Sequence, residues 1–154
     1  MKDSLIFDRT EADIEQARSI INEKIKKFLA ITEEEESVIE RGAFLPSTVQ
    51  RIEDCENELF VLLKDLAYYG EEPETKEWVL GEIFSADDKS RIIENGELLR
   101  ESFLTYSTTP TKAAPKYDYQ NLNKIEKLLY DLFSIVEYIE ENSKECDTFY
   151  SGEE

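Results

Sequence analysis

Thirty-six aspartates and glutamates carry most of the reactive side chains of this chain, against 18 lysines and arginines and no histidine at all. Carboxylates pair for general acid–base work, and in a loop of alternating aspartates they ligate Ca²⁺. No such calcium loop occurs. The densest run, Glu33–Glu36, lies where a helix would begin, and there the helix dipole favours negative charge. Without histidine the chain lacks the commonest general base and transition-metal ligand. No Gly-rich phosphate loop, dinucleotide fingerprint or nucleophile elbow is present, and five glycines leave little to build one. Of the two cysteines, Cys55 falls in an apolar stripe and reads as a small buried hydrophobe. Cys146 stands far off with no CxxC pair, so their number allows a disulfide but their spacing does not argue for one. These features predict no catalytic residue, no metal ligand and no cofactor.

A net charge of −18 over 154 residues has its own consequences. Such a surface repels nucleic-acid phosphate and anionic lipid. The start Met1-Lys2-Asp3-Ser4 is unlike a signal peptide, and no apolar run approaches a membrane span. The expectation is a chain made in a reducing cytoplasm that binds neither nucleic acid nor membrane. Apolar residues make up 40% of it, enough for one packed domain without metal or disulfide.

The elements read as helices. Residues 1–9 are extended. Thr10, with Asp13 three residues on, caps a helix in which Ile14, Ala17, Ile21 and Phe28 recur at helical spacing through Ala30. Thr32 and Glu35 cap a short second helix ending at Gly42. Ser47 caps a long one from about Thr48 to Tyr69, striped by Ile52, Cys55, Leu59, Leu62 and Leu66. A connector over 70–84 is pinned by Trp78, Val79 and Leu80. Ser85 and Asp88 open the fourth helix, where Gly96 on the apolar face predicts a close helix approach or a kink. Pro110 and Pro115 make 105–119 an extended strap lying on the bundle. The last helix starts at Asp118 or Asn121, is striped by Leu122, Ile125, Leu129, Leu132, Val136 and Ile139, and fades near Asn142 into a loose tail over 143–154.

A shift of about 73 residues superposes the two halves, roughly 8–70 and 82–142. Arg51-Ile52-Glu53 falls on Lys124-Ile125-Glu126, and Leu59-Phe60 on Leu132-Phe133. The expected fold is therefore all-α. It is a single helical bundle from two duplicated helical hairpins with a short extra helix, packed as a four-helix core. Residues left over for partners are the apolar entry Leu5, Ile6 and Phe7, the strap tyrosines Tyr106, Tyr117 and Tyr119, and the aromatic pair Phe149 and Tyr150. Those segments lack helical periodicity and either order on a partner or cover the bundle.

Several of these segments are familiar in succession. Asp8-Arg9-Thr10-Glu11-Ala12-Asp13-Ile14 resembles the start of small proteins encoded in the tail modules of phages and prophages of Gram-positive bacteria. Ser47-Thr48-Val49-Gln50-Arg51-Ile52-Glu53 resembles their next helix start, and Trp78-Val79-Leu80-Gly81-Glu82-Ile83-Phe84 a following turn, with Phe84 where proline is usual and Gln50 for asparagine. Leu122-Asn123-Lys124-Ile125-Glu126-Lys127-Leu128-Leu129 and the Phe149–Glu153 tail are similar to the remainder. The resemblance implies a virion or tailocin structural protein, at the tail tip, baseplate or tail-fibre attachment, whose partners are other tail proteins or copies of itself. The charge alone suggests the alternative, a cytoplasmic acidic regulator or nucleic-acid mimic that occupies a basic protein partner.

Overall fold

The computed structural model describes residues 1–66, 70–79, 82–101, 103–116 and 118–151, with side chains through Lys144 in the last stretch. The chain is the all-helical bundle expected from sequence. Its helices are α1 (Glu11–Glu23), α2 (Glu33–Gly42), α3 (Pro46–Asp65), α4 (Ala86–Glu101) and α5 (Tyr119–Ser151), with single 3-10 turns at Lys2–Ser4 and Ile25–Lys27. No strand occurs among the described residues, and no helix there is long and apolar enough to cross a membrane.

Local chemistry sets the helix starts. The predicted capping boxes of α1 (Thr10 and Asp13) and α2 (Thr32 and Glu35) both form. At α4 the Ser85 hydroxyl accepts from the Asp88 amide while the Asp88 carboxylate accepts from the Ser85 amide. The α3 start differs from the sequence reading. Pro46 occupies the first helical turn and Leu45, not Ser47, is the N-cap residue, with the Thr48 hydroxyl accepting from the Leu45 amide. α1 also ends earlier than its stripe suggests. Lys24 closes it, the Leu29 amide reaches back to the Lys24 carbonyl, and Phe28 takes a left-handed φ of 56°. A glycine usually occupies that position, so nothing in the sequence marked the stop. Phe28 consequently points into solvent, 98% exposed.

α3, α4 and α5 form the core. From α3 to α4 the contacts advance in step, Glu53 with Arg91 and then Glu56 with Asn95, while Arg51 of α3 meets Glu126 of α5. α4 and α5 meet one strap in the same order, Lys89 and Asn121 near its end at Pro115 and Ala114, Arg100 and Asp131 further back at Pro110 and Thr109. The three helices therefore run parallel, and the chain must return between them. It does so in extended straps laid antiparallel in the grooves. Residues 70–79 return between α3 and α4, joined to Asn57 at Thr75 and to Glu53 at Trp78. Residues 103–116 return between α4 and α5, where Arg100 donates to the Pro110 carbonyl, Thr109 to Asp131, and the Ala114 amide to Asn121. The N-terminal residues lie along α5 in the same sense, Lys2 pairing with Glu137 and the Ile6 amide donating to Glu126.

The core cluster draws on Leu5, on α3 (Val49, Ile52, Cys55, Leu59, Leu63), on α4 (Ile92, Leu99) and on α5 (Leu122 through Val136). α1 and α2 take no part in it, which departs from the expected four-helix core. They pack on each other as an antiparallel arm, with Arg41 bonded to Asp13 and Lys24 to Glu35. Gly42 is required there, because a Cβ would lie 2.0 Å from the Asp13 carbonyl oxygen. Gly96 faces Leu128 of α5, but a Cβ there would meet only the end of the Leu128 side chain at 3.4 Å, so the helix approach does not demand a glycine. α5 continues to Ser151, past the end near Asn142 read from sequence, so residues 143–151 are helix rather than loose tail. No glycine or proline interrupts Glu140–Ser151, so the helix continues although its apolar periodicity is lost.

Candidate functional site

Two carboxylates that the 73-residue shift brings into register, Glu53 and Glu126, organise the buried polar chemistry, and both side chains are essentially inaccessible. Each is a helix residue whose apolar neighbours face the core, so it can remain there only by being paired. Arg9 reaches Glu126 at 2.7 Å and Arg51 at 3.2 Å. Arg9 also donates to the carbonyls of Ile6 and Arg41, and its backbone exchanges hydrogen bonds with Asn123 in both directions. Burial pulls the Arg9 guanidinium below its ordinary value, and Glu126 opposes that shift. The node fastens the N-terminal strap to α3 and α5 together.

Glu53 does the same for the second strap. The Trp78 indole donates to it at 2.6 Å, and Arg91 pairs with it from α4. Arg91 also bonds Asp88, which receives Lys76 from the strap at 3.1 Å. Trp78 is thus the expected anchor, stacked near Phe84 with Lys76 over its ring. Val79, expected to help pin this connector, is exposed, and Leu80 lies outside the described residues. One turn on, Glu56 is fully buried. It accepts from Asn95 at 2.9 Å and leaves its second oxygen without a partner among the described residues. Burial holds its pKa well above the usual carboxylate range, against the Asn95 hydrogen bond. Cys55 is buried nearby with its thiol pushed up to about 11 by burial, which suits the inert reading. Among the described residues no three acidic or cysteine side chains gather to hold a metal.

A cleft of about 390 Å³ opens where the arm joins the core, beside the N-terminal ends of α4 and α5. Its floor is apolar, from Ile14, Phe44, Ile92, Ile93 and Leu122. Its walls bring Arg9, Arg18, Arg41, Lys89 and Lys116 against three acids, Glu11, Glu15 and Asp118. Arg9 and Arg41 are already paired, with Glu126 and with Asp8 and Asp13, so the exposed charges of the rim are Arg18 and Lys116 against Glu11, Glu15 and Asp118.

The sequence-predicted partner residues scatter over the molecule. Leu5 is buried in the core, while Phe7 packs on Tyr130 with ring centroids 4.7 Å apart. Ile6 and Phe7 are half-buried and their strap is held by Glu126, so all three residues pack on the chain's own core. Tyr106 is 45% exposed and Tyr119 lines the cleft. Tyr117 and the side chains of Phe149 and Tyr150 lie outside the described residues, as does that of Cys146. The cleft itself was not anticipated. Its walls come from segments far apart in sequence, and no local pattern announces that they meet. Compared with family models, curated proteins and solved structures, the chain matches none.

Proposed function

We propose that this chain is a non-enzymatic structural protein of a phage or phage-tail-like particle, placed at the tail tip, baseplate or fibre attachment and synthesised in the bacterial cytoplasm. The observation that carries this reading is where the motif residues of the resemblance lie. Arg9, Arg51, Asn123 and Glu126 meet in one buried node, and Glu53 and Trp78 meet in the other. Motifs scattered along the sequence thus serve a single architecture, as expected if their succession marks a fold and not a coincidence. Their charges are spent on fastening straps to helices, which suits a building element better than a site that binds and turns over substrate. Mass spectrometry of purified particles tests the reading. The chain should appear among the tail proteins; its absence there, with abundance in the surrounding cytoplasm, rejects it.

A second reading has one observation in its favour. Between residues 71–74 and α4 runs a groove lined by seven carboxylates, including Glu72, Glu94 and Glu101, against Arg91 and Lys112. Such a surface suits an acidic mimic that occupies a basic protein. Recovery of a DNA-binding enzyme instead of tail proteins from host lysate would favour that role.

A further inference from the structure

We infer that two copies of this chain pair through their arms, which lie antiparallel so that the apolar tip of each seats in the cleft at the base of the other. The contact goes beyond the structural-protein reading and does not depend on it. The arm tip carries apolar surface that serves nothing within its own copy. Phe28 holds a left-handed backbone that glycine would adopt without strain, and its ring stands in solvent. Ile25, Leu29 and Ile31 are exposed beside it in the turn that joins α1 to α2. An apolar patch of this kind with a charged rim marks a contact surface. Residues 24–32 hold three lysines and no acid. Lys24 is taken up by Glu35, while Lys26 and Lys27 are exposed without an ion pair among the described residues. The exposed Glu33, Glu34 and Glu36 follow in the first turn of α2.

The surface that matches this tip lies at the other end of the arm. The cleft is walled by the first turns of α1 and by Phe44 just after α2, over the apolar Ile92, Ile93 and Leu122. Its volume of about 390 Å³ is within the roughly 300–1,000 Å³ of sites that bury a ligand. Its rim carries both signs of exposed charge, as the tip does. Glu11, Glu15 and Asp118 suit Lys26 and Lys27, and Arg18 and Lys116 suit the acids that open α2. A tip does not reach its own cleft, because α1 rises roughly 15 Å from Ile14 in the cleft to Lys24, at about 1.5 Å per residue. Two arms laid antiparallel bring each tip level with the other's cleft at the same offset, so both contacts form together. The result is a closed two-fold dimer in which the same pair of patches meets twice and growth stops at two copies. Apolar burial at both ends holds it, and the charges set the direction of the arms. Tip against tip would leave both clefts open.

Sedimentation velocity of the full chain over a rising concentration series should show a monomer passing to a dimer and nothing larger. A chain that stays monomeric at millimolar concentration, or that grows past the dimer, overturns the inference. Two variants each break one face at exposed positions: Phe28→Asn with Leu29→Ser at the tip, and Phe44→Ser with Glu15→Lys at the cleft. Asparagine also tolerates the left-handed backbone, so the tip keeps its turn. Each variant alone should stay monomeric where the wild type is dimeric. Their equimolar mixture restores one intact contact, so it should regain a dimer, at a higher concentration than the wild type needs. Variants that still dimerise alone overturn the inference. A mixture that stays monomeric while both variants keep the wild-type circular dichroism overturns it as well. Hydrogen exchange of the wild type needs no variant. Crossing the dimerisation concentration should slow exchange both at residues 25–31 and at residues 43–44 beside the cleft. Slowing at the tip alone would mean tip-to-tip pairing and reject the arm-in-cleft contact.

Discussion

The arm and the core are built from the same kind of helix, acid-rich and striped with apolar residues, yet they are held in different ways. α3 buries Val49, Ile52, Cys55, Leu59 and Leu63 together with the carboxylates Glu53 and Glu56, whereas α1 buries Ala17 alone and α2 only Ile39 and Gly42. The core helices have neighbours on several sides because extended straps fill the grooves between them, and each strap is tied down by buried polar groups. The arm helices share one packed interface, closed by Gly42 against α1, and meet the rest of the chain through polar contacts of Arg9 with Arg41 and Arg51 with Glu40; the ion pairs within the arm are partly exposed. Isolated helices of this length gain most of their stability from tertiary packing. The arm should therefore be the first part to open, and the core should carry the global transition.

The largest effect should come from breaking the node that joins strap, α3 and α5. Glu126→Ala leaves Arg9 buried without its carboxylate, and removing one partner of a buried pair costs about 3–5 kcal/mol. Urea unfolding should show this loss, while Lys24→Ala in the arm, which removes a water-facing pair with Glu35, should barely move the midpoint. Equal effects would erase the distinction between the regions. Leu59→Ala and Leu132→Ala come next. Both residues are wholly inaccessible, and each truncation should cost about 2–5 kcal/mol in the same assay. Near-neutral values at both would mean that the duplicated stripes do not share a core.

Titration sharpens the contrast inside the core. Glu56 holds its proton more tightly when folded than when unfolded, so its contribution weakens as pH rises above the ordinary carboxylate value towards its raised folded one. Asp88 has the opposite sign. Burial would raise it, but Ser85, Arg91 and Lys76 outweigh that and hold it low. Its contribution is present above the ordinary aspartate value and lost as pH falls through the folded one. Glu56→Gln should therefore raise stability at neutral pH and flatten the decline from acid to neutral, and Asp88→Asn should lower stability at neutral pH and flatten the loss in acid. Denaturation midpoints measured over that range decide both. The smallest effect belongs to the arm. Phe28→Gly relieves a left-handed backbone without removing buried surface and should stabilise the arm by about 0.5–1 kcal/mol. Slower hydrogen exchange in α1 and α2, with an unchanged global midpoint, is the expected readout.

Helix existence and most of the helix starts were legible in the sequence, because capping boxes and 3-4 stripes are local and act through neighbours a few residues away. Thr10 with Asp13, Thr32 with Glu35 and Ser85 with Asp88 all form as read. Helix ends were less legible: Phe28 adopts a conformation that usually signals glycine, α3 closes at Asp65 short of Tyr69, and α5 continues past the end of its apolar stripe. The duplication pointed to Glu53 and Glu126 as matched positions, yet a charged residue beside an apolar stripe looks the same whether it faces water or a buried arginine. Only the tertiary structure decided that both turn inward, since their partners Arg9, Arg91 and Trp78 come from straps or other helices. It likewise decided that α3, α4 and α5 run parallel, that the first two helices stand apart as an arm, and that cations from α1, α2, α4 and the last strap meet around one apolar cleft. Periodicity fixes which face of a helix is buried. Which partner buries it depends on how the connecting straps return, and that is set by contacts between residues far apart in the chain.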